Sequence, residues 1–89
     1  MSQSIIRAVA GTMESSDVYA ELEPADGLHV EVDSVVYRQF GEEIRRVAME
    51  VLAEKGIDNA RLRLVDRGAL SCVIRARVET VADRAKGEE

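Results

Sequence analysis

The chain has 89 residues, a hydrophobic fraction of 46%, and 12 basic against 17 acidic side chains for a formal charge of −5. That length holds one small domain, residues 1–89, burying only about 60–65% of its unfolded surface, so the core is modest and a partner surface matters. The acidic balance argues against nucleic acid, which is bound through clustered Lys and Arg, and a chain with no Trp and one Phe lacks stacking platforms for single strands.

No apolar run approaches the roughly 20 residues of a membrane span. The start, Met1-Ser2-Gln3-Ser4, shows no basic region leading into a long apolar stretch, so no signal peptide is visible and a cytoplasmic protein is expected. Cys72 is the single cysteine and cannot form an intramolecular disulfide or a thiolate metal site.

Ile5-Ile6-Arg7-Ala8-Val9-Ala10 is partly β-branched, is bounded by Gly11 and reads as a strand. Gly11-Thr12-Met13-Glu14-Ser15-Ser16-Asp17 is small and polar and reads as a loop with hydroxyls at its tip. Val18-Tyr19-Ala20-Glu21-Leu22-Glu23 alternates, with Val18, Ala20 and Leu22 inward. Pro24-Ala25-Asp26-Gly27 is a turn, and Leu28-His29-Val30-Glu31-Val32-Asp33 alternates again, with Leu28, Val30 and Val32 inward. These two runs predict a hairpin.

The period then changes. Phe40, Ile44, Val47, Ala48, Val51 and Leu52 mark one face of a helix predicted over residues 36–55, with Phe40 and Ile44 in the core. Ser34 is its candidate N-cap and Gly56 its C′ residue, while Glu42 and Arg46 form an i, i+4 pair. Gly41 weakens this helix unless a close backbone approach requires it. Ala60-Arg61-Leu62-Arg63-Leu64-Val65 is a further strand, broken by Asp66-Arg67-Gly68. The last segment suits a helix, with Leu70, Val73, Ile74, Arg77, Val78, Val81 and Ala85 on its apolar face. Residues 1–4 and 86–89 are expected to fray. The order β-β-β-α-β-α predicts an α+β two-layer fold: a mainly antiparallel sheet with two helices packed on one face.

Catalysis by the chain itself finds little support. Nucleophilic serine chemistry needs a base within hydrogen-bond reach, and the one histidine, His29, reads as a surface strand residue far from Ser15 in sequence. Glu14 and Asp17 flank the serines but are poor bases in an exposed loop. Cys72 has no nearby histidine and reads as a structural or partly exposed thiol. Arg75, Arg77 and Arg84 read as a solvated helix face with Glu79 and Asp83 as partners, the other reading being a grip on phosphates or a partner subunit. No phosphate cradle of P-loop or dinucleotide form exists, and the acidic loop should repel a free phosphate, so a nucleotide-like group would have to be covalently attached.

Ala10-Gly11-Thr12-Met13-Glu14-Ser15-Ser16-Asp17 resembles the attachment loop of the citrate lyase acyl carrier protein (gamma subunit) family. Gln39-Phe40-Gly41 leading into Ile44-Arg45 and the run from Asp66-Arg67-Gly68 through Arg75-Ala76-Arg77 extend the resemblance over residues 8–85. Two departures stand out: relatives tend to carry an acid at the position of Ser71 and often glycine at that of Ser16. The resemblance implies a non-catalytic carrier with Ser15 as the attachment residue and Glu14, Ser16 and Asp17 as loop support. It implies a 2'-(5''-phosphoribosyl)-3'-dephospho-CoA group, joined to Ser15 through a phosphodiester, whose thiol holds acetyl or citryl. The implied partners are the alpha (transferase) and beta (lyase) subunits and a separate prosthetic-group transferase. A carrier of a related complex, citramalate lyase or malonate decarboxylase, and a small structural or interaction domain that is never modified are the alternatives. The expected α+β fold differs from the all-helical bundle of the usual acyl or peptidyl carriers.

Overall fold

A computed structural model describes residues 5–87. The order is β1 (Ala8–Gly11), β2 (Val18–Pro24), β3 (Leu28–Ser34), α1 (Tyr37–Glu54), β4 (Ala60–Asp66) and α2 (Ser71–Lys86). The four strands form one sheet in the order β1-β2-β4-β3. β1–β2 and β2–β4 are antiparallel and β3–β4 is parallel, so the sheet is mixed, with antiparallel pairs in the majority. The helices touch each other on one face, α1 over β3 and α2 over β1 and β2. The expected two-layer α+β fold is present.

The predicted β2–β3 hairpin does not form, because β4 lies between the two strands. The turn still reverses the chain, but it spans two strand spacings, roughly 9–10 Å. The start of β4 is bonded beneath it: Ala60 N–H donates to Gly27 O at 2.9 Å and Gly27 N–H to Asn59 Oδ1 at 3.0 Å. Charge favours the insertion. The outward side chains of β2 include Glu21 and Glu23, and those of β3 include Glu31 and Asp33; adjacent strands would set acids against acids. β4 brings Arg61 and Arg63 between them. Arg61 pairs with Glu23 and Glu31 at 3.9 and 3.5 Å, and Arg63 with Glu21 at 3.8 Å. β4 also has the most apolar inner face, with Ala60, Leu62 and Leu64 fully buried, whereas the inner residues of β3 are only half-buried, as suits an edge. Parallel β3 and β4 need a crossover, which α1 supplies.

The core joins Val18, Ala20, Leu22, Leu62 and Leu64 of the sheet to Ile44, Val51 and Leu52 of α1 and Ile74, Val78 and Val81 of α2. Phe40 is not part of it: its side chain is 52% exposed, and the buried face of α1 begins at Gly41 and Ile44. Tyr37 explains the glycine, since a Cβ at Gly41 would stand 2.6 Å from its ring. Leu70 is likewise exposed, at 71%, and occupies the N-cap of α2 rather than its apolar face. Ser34 does not cap α1. Val36 is the N-cap, and Ser34 Oγ accepts from Val36 N–H at 3.1 Å while donating to Asp66 Oδ2 at 2.8 Å. Arg46 pairs with Glu43 and Glu50 rather than with Glu42. Gly56 takes the predicted C′ place at φ 72°, donating to Ala53 O at 3.1 Å, and Ile57 N–H reaches Leu52 O at 2.9 Å. β1 starts at Ala8 rather than residue 5. At the far end Lys86 stays helical and Gly87 ends α2 with φ 79°; the fraying expected for residues 1–4, 88 and 89 lies outside the described residues.

Candidate functional site

The loop between β1 and β2 is built on Gly11 and Asp17. Gly11 has φ 85°, and a Cβ there would lie 1.9 Å from Val18 O, so only glycine lets the two strand ends approach. Asp17 gathers the loop. Its carboxylate accepts from Thr12 Oγ1 at 2.7 Å and from Val18 N–H at 2.7 Å. Arg77, from the middle of α2, closes a bidentate pair on it, with Nε to Oδ1 at 3.1 Å and Nη2 to Oδ2 at 2.9 Å. These bonds hold the Asp17 carboxyl far below the usual carboxylate range, Arg77 contributing most and Thr12 next. Thr12 Oγ1 also accepts from Glu14 N–H at 3.2 Å, and Asp17 N–H donates to Glu14 O at 3.1 Å, closing a turn over Ser15 and Ser16.

Ser16 has φ 66°, the one positive value among the described non-glycine residues. That left-handed conformation is the physical reason a glycine serves well there. The strain is held by two bonds to the β4–α2 connection: Ser16 N–H to Arg67 O at 2.8 Å, and Arg67 N–H to Asp17 O at 2.9 Å. Ser15 stands exposed at the crest, and its hydroxyl has no hydrogen-bond partner among the described residues. The Glu14 side chain is also exposed and in no ion pair there. The loop is therefore less acidic than its sequence suggests, because the Asp17 charge is neutralised by Arg77.

The other candidates lie elsewhere. His29 is exposed at the opposite end of the sheet, with Nε2 2.7 Å from Asp26 O. It faces Arg61 in register, five residues along β2 from Val18, roughly 17 Å away. No base–nucleophile pair forms between it and Ser15. Cys72 is exposed in the first turn of α2. Arg75 pairs with Glu50, Glu54 and Glu79, as a solvated face should, and Asp83 pairs with Lys55. Arg84 Nη1 donates to Val9 O at 2.9 Å, tying α2 to β1. No cluster of three or more His, Cys, Asp or Glu able to hold a metal exists among the described residues, and no helix there is long and apolar enough to cross a membrane.

Residue-by-residue reading did not find the role of Arg77. The signal was present: an arginine spaced three residues from Ile74 and four from Val81 falls on the apolar stripe of a helix, where a charge requires a partner. Thr12 and Arg67 gave no such signal, since their contacts run through a turn and through backbone groups.

Comparison with known proteins places this loop in context. Residues 6–85 match the profile of an acyl carrier protein family described as malonate decarboxylase delta subunit (MdcD). A citrate lyase acyl carrier protein of Haemophilus influenzae (strain PittEE) is 52% identical over 81 residues, covering 91% of this chain and 85% of that protein. The chain belongs to the citrate lyase acyl carrier protein family. A second member, from Escherichia fergusonii, is 50% identical over 80 residues, covering 88% of this chain and 82% of the relative. One from Klebsiella pneumoniae is 49% identical over 82 residues, covering 90% and 84%. The fold also resembles a chain in the crystal structure of a Pseudomonas malonate decarboxylase hetero-tetramer in complex with malonate. The TM-score is 0.81 at 22% identity, with 94% of this chain and 89% of that one covered.

Proposed function

We propose that this chain is the acyl carrier subunit of a citrate lyase, anchoring a phosphoribosyl-dephospho-CoA group on Ser15 and working in the cytoplasm between an acyl-transferring alpha subunit and a cleaving beta subunit. The observation that carries the reading is Ser15 itself: an exposed hydroxyl with no hydrogen-bond partner among the described residues, on a loop fixed from 60 residues away by the Asp17–Arg77 pair.

The residues present fit such a group. Ser15 offers an oxygen that loses no internal bond on becoming a phosphodiester ester oxygen. Arg67, bonded through its backbone to Ser16 and Asp17, carries an exposed guanidinium with no ion pair among the described residues, suited to a diester phosphate. When bound, the group supplies a thiol on a long arm that forms acetyl and citryl thioesters. The chain's own part is to hold the anchor rigid and exposed, and tethering keeps the thioester at about mM effective concentration near both active sites. With His29 at the far end of the sheet, no base stands beside Ser15 among the described residues, so on this reading a separate transferase attaches the group and the isolated chain cleaves no citrate.

A malonate decarboxylase carrier is the second reading, favoured by the description of the matching family and by the Pseudomonas neighbour. Identity of about half to citrate lyase carriers, against 22% to the decarboxylase chain, favours the first.

Co-expression with the attaching transferase and intact-mass measurement test the proposal. Wild type should gain the adduct and Ser15→Ala should not, while their stabilities differ by no more than about 0.5 kcal/mol. An adduct mapped to Ser16 would overturn the site. No adduct on any serine of the wild type would overturn the carrier reading in favour of an unmodified interaction domain.

A further inference from the structure

We propose that the groove between the N-terminal turns of α1 and α2 is a resting site for the acetyl-bearing end of the arm anchored on Ser15. This rests on the carrier reading above and extends it to a noncovalent subsite on the carrier itself.

Three observations converge on the groove. It is a cavity of about 250 Å³ with apolar walls, Val36, Phe40 and Ile44 on one side and Leu70 and Ile74 on the other. Phe40 and Leu70 leave 52% and 71% of their surface exposed, Phe40 at a position where helix periodicity expects burial and Leu70 at the N-cap of α2. Large apolar side chains on facing walls gain by covering an apolar ligand.

The second observation is position. Gly68 and Ala69 line the groove, and the neighbouring Arg67 is the residue whose backbone is bonded to Ser16 and Asp17. The loop that bears Ser15 and the groove thus both adjoin the β4–α2 connection.

The third is polarity. Asp66 is 1% exposed at the groove, but both its oxygens are occupied, by the Ser34 hydroxyl and by Ala69 N–H at 2.8 and 2.9 Å. It therefore does not call for a cation. At the other side α2 begins without a side-chain cap or an acid in its first turn, and the N–H groups of Ser71 and Cys72 have no partner among the described residues. They suit a neutral carbonyl acceptor, such as the amide or thioester of the arm.

The volume selects which end is held. Pockets for whole small molecules span roughly 300–1,000 Å³. At 250 Å³ the groove takes the thioester end and adjoining methylenes, not the nucleotide end. Tethering makes weak binding sufficient: at about mM effective concentration, an intrinsic Kd near 1 mM fills half the sites. The arm would rest against its own carrier between visits to partner active sites, and its thioester would be partly shielded from water.

The test compares unloaded and loaded carrier, each confirmed by intact mass, by amide chemical shifts in solution. Shifts at Phe40, Gly68, Ala69, Ser71 and Ile74 in the loaded form, absent in loaded Phe40→Ser/Leu70→Ser, support the site. Hydroxylamine should also cleave the acetyl thioester about twofold faster in that variant than in wild type, the change expected on emptying a half-filled site. Shifts confined to the loop at residues 12–17 and to Arg67, in a protein of the loaded mass, would overturn the groove and leave the carrier reading standing. Groove shifts that appear only when partner subunits are added would also overturn it, making the groove a protein-docking surface. Absence of any adduct would remove the carrier reading and this inference with it.

Discussion

The Asp17–Arg77 pair gives the sharpest physical test of how the β1–β2 loop is held. Asp17→Asn keeps the shape of the side chain and one acceptor oxygen for Thr12 or Val18 N–H, but removes the charge that Arg77 grips. The Asp17 side chain is 15% exposed and that of Arg77 39%. A charge-assisted hydrogen bond contributes about 1.5–3 kcal/mol when sheltered, and exposure of the guanidinium reduces that. We expect a loss of about 1–2 kcal/mol at pH 7. At a urea slope of about 1 kcal/mol/M for a small domain, the midpoint falls by about 1–2 M. The loss has a pH signature. The folded state holds the Asp17 carboxyl well below its usual range, while in the unfolded chain it titrates near 3.9. Between these values the unfolded state binds more protons, so stability rises with pH. The contribution is complete above about pH 5 and declines as pH falls below the unfolded value. The gap between wild type and Asp17→Asn should therefore narrow from pH 7 to pH 3. Glu43, also lowered by Arg46, titrates alike in both proteins and cancels in the difference. Urea midpoints of the two proteins at several pH values decide the matter. A gap that stays constant with pH, or no gap at neutral pH, would refute the reasoning.

Gly11→Ala should destabilise by more than about 2 kcal/mol, because the new Cβ meets Val18 O at 1.9 Å and φ is 85°; thermal melts check this. Leu62→Ala, at a fully buried position, should lose about 2–5 kcal/mol, whereas Phe40→Ala, half exposed, should lose no more than about 1.5 kcal/mol. Equal denaturation midpoints for these two variants would contradict the placement of Phe40 outside the core. Ser16→Gly should hold or raise stability by up to about 1 kcal/mol, since relief of a left-handed serine is offset by the freedom glycine adds to the unfolded chain; a clear drop in melting temperature would mean that the Ser16 side chain has a structural partner.

Much of this protein is determined by its sequence alone. Alternation places Val18, Ala20, Leu22, Leu62 and Leu64 inward, because a strand has a side-chain period of two whatever it pairs with. The 3.6-residue period marks Ile44, Val47, Val51 and Leu52 as the buried face of α1, and Gly56 its end, for equally local reasons. The exposed, hydroxyl-bearing loop was legible too, since its residues favour turns and bury little.

What the sequence did not declare were relations between distant elements. Strand order was one. A four-residue turn says that the chain reverses, not which strand will occupy the space between its arms. That choice fell to β4, whose apolar inner face needs a central place and whose Arg61 and Arg63 separate the acids of β2 and β3. The fate of Phe40 was another: periodicity gives the direction of a side chain, but burial needs something opposite it, and the groove leaves Phe40 without a cover. The geometry of the β1–β2 loop was the third. Asp17 and Arg77 meet only because the sheet lays β2 beneath α2, and a pair 60 residues apart has no local pattern to announce it.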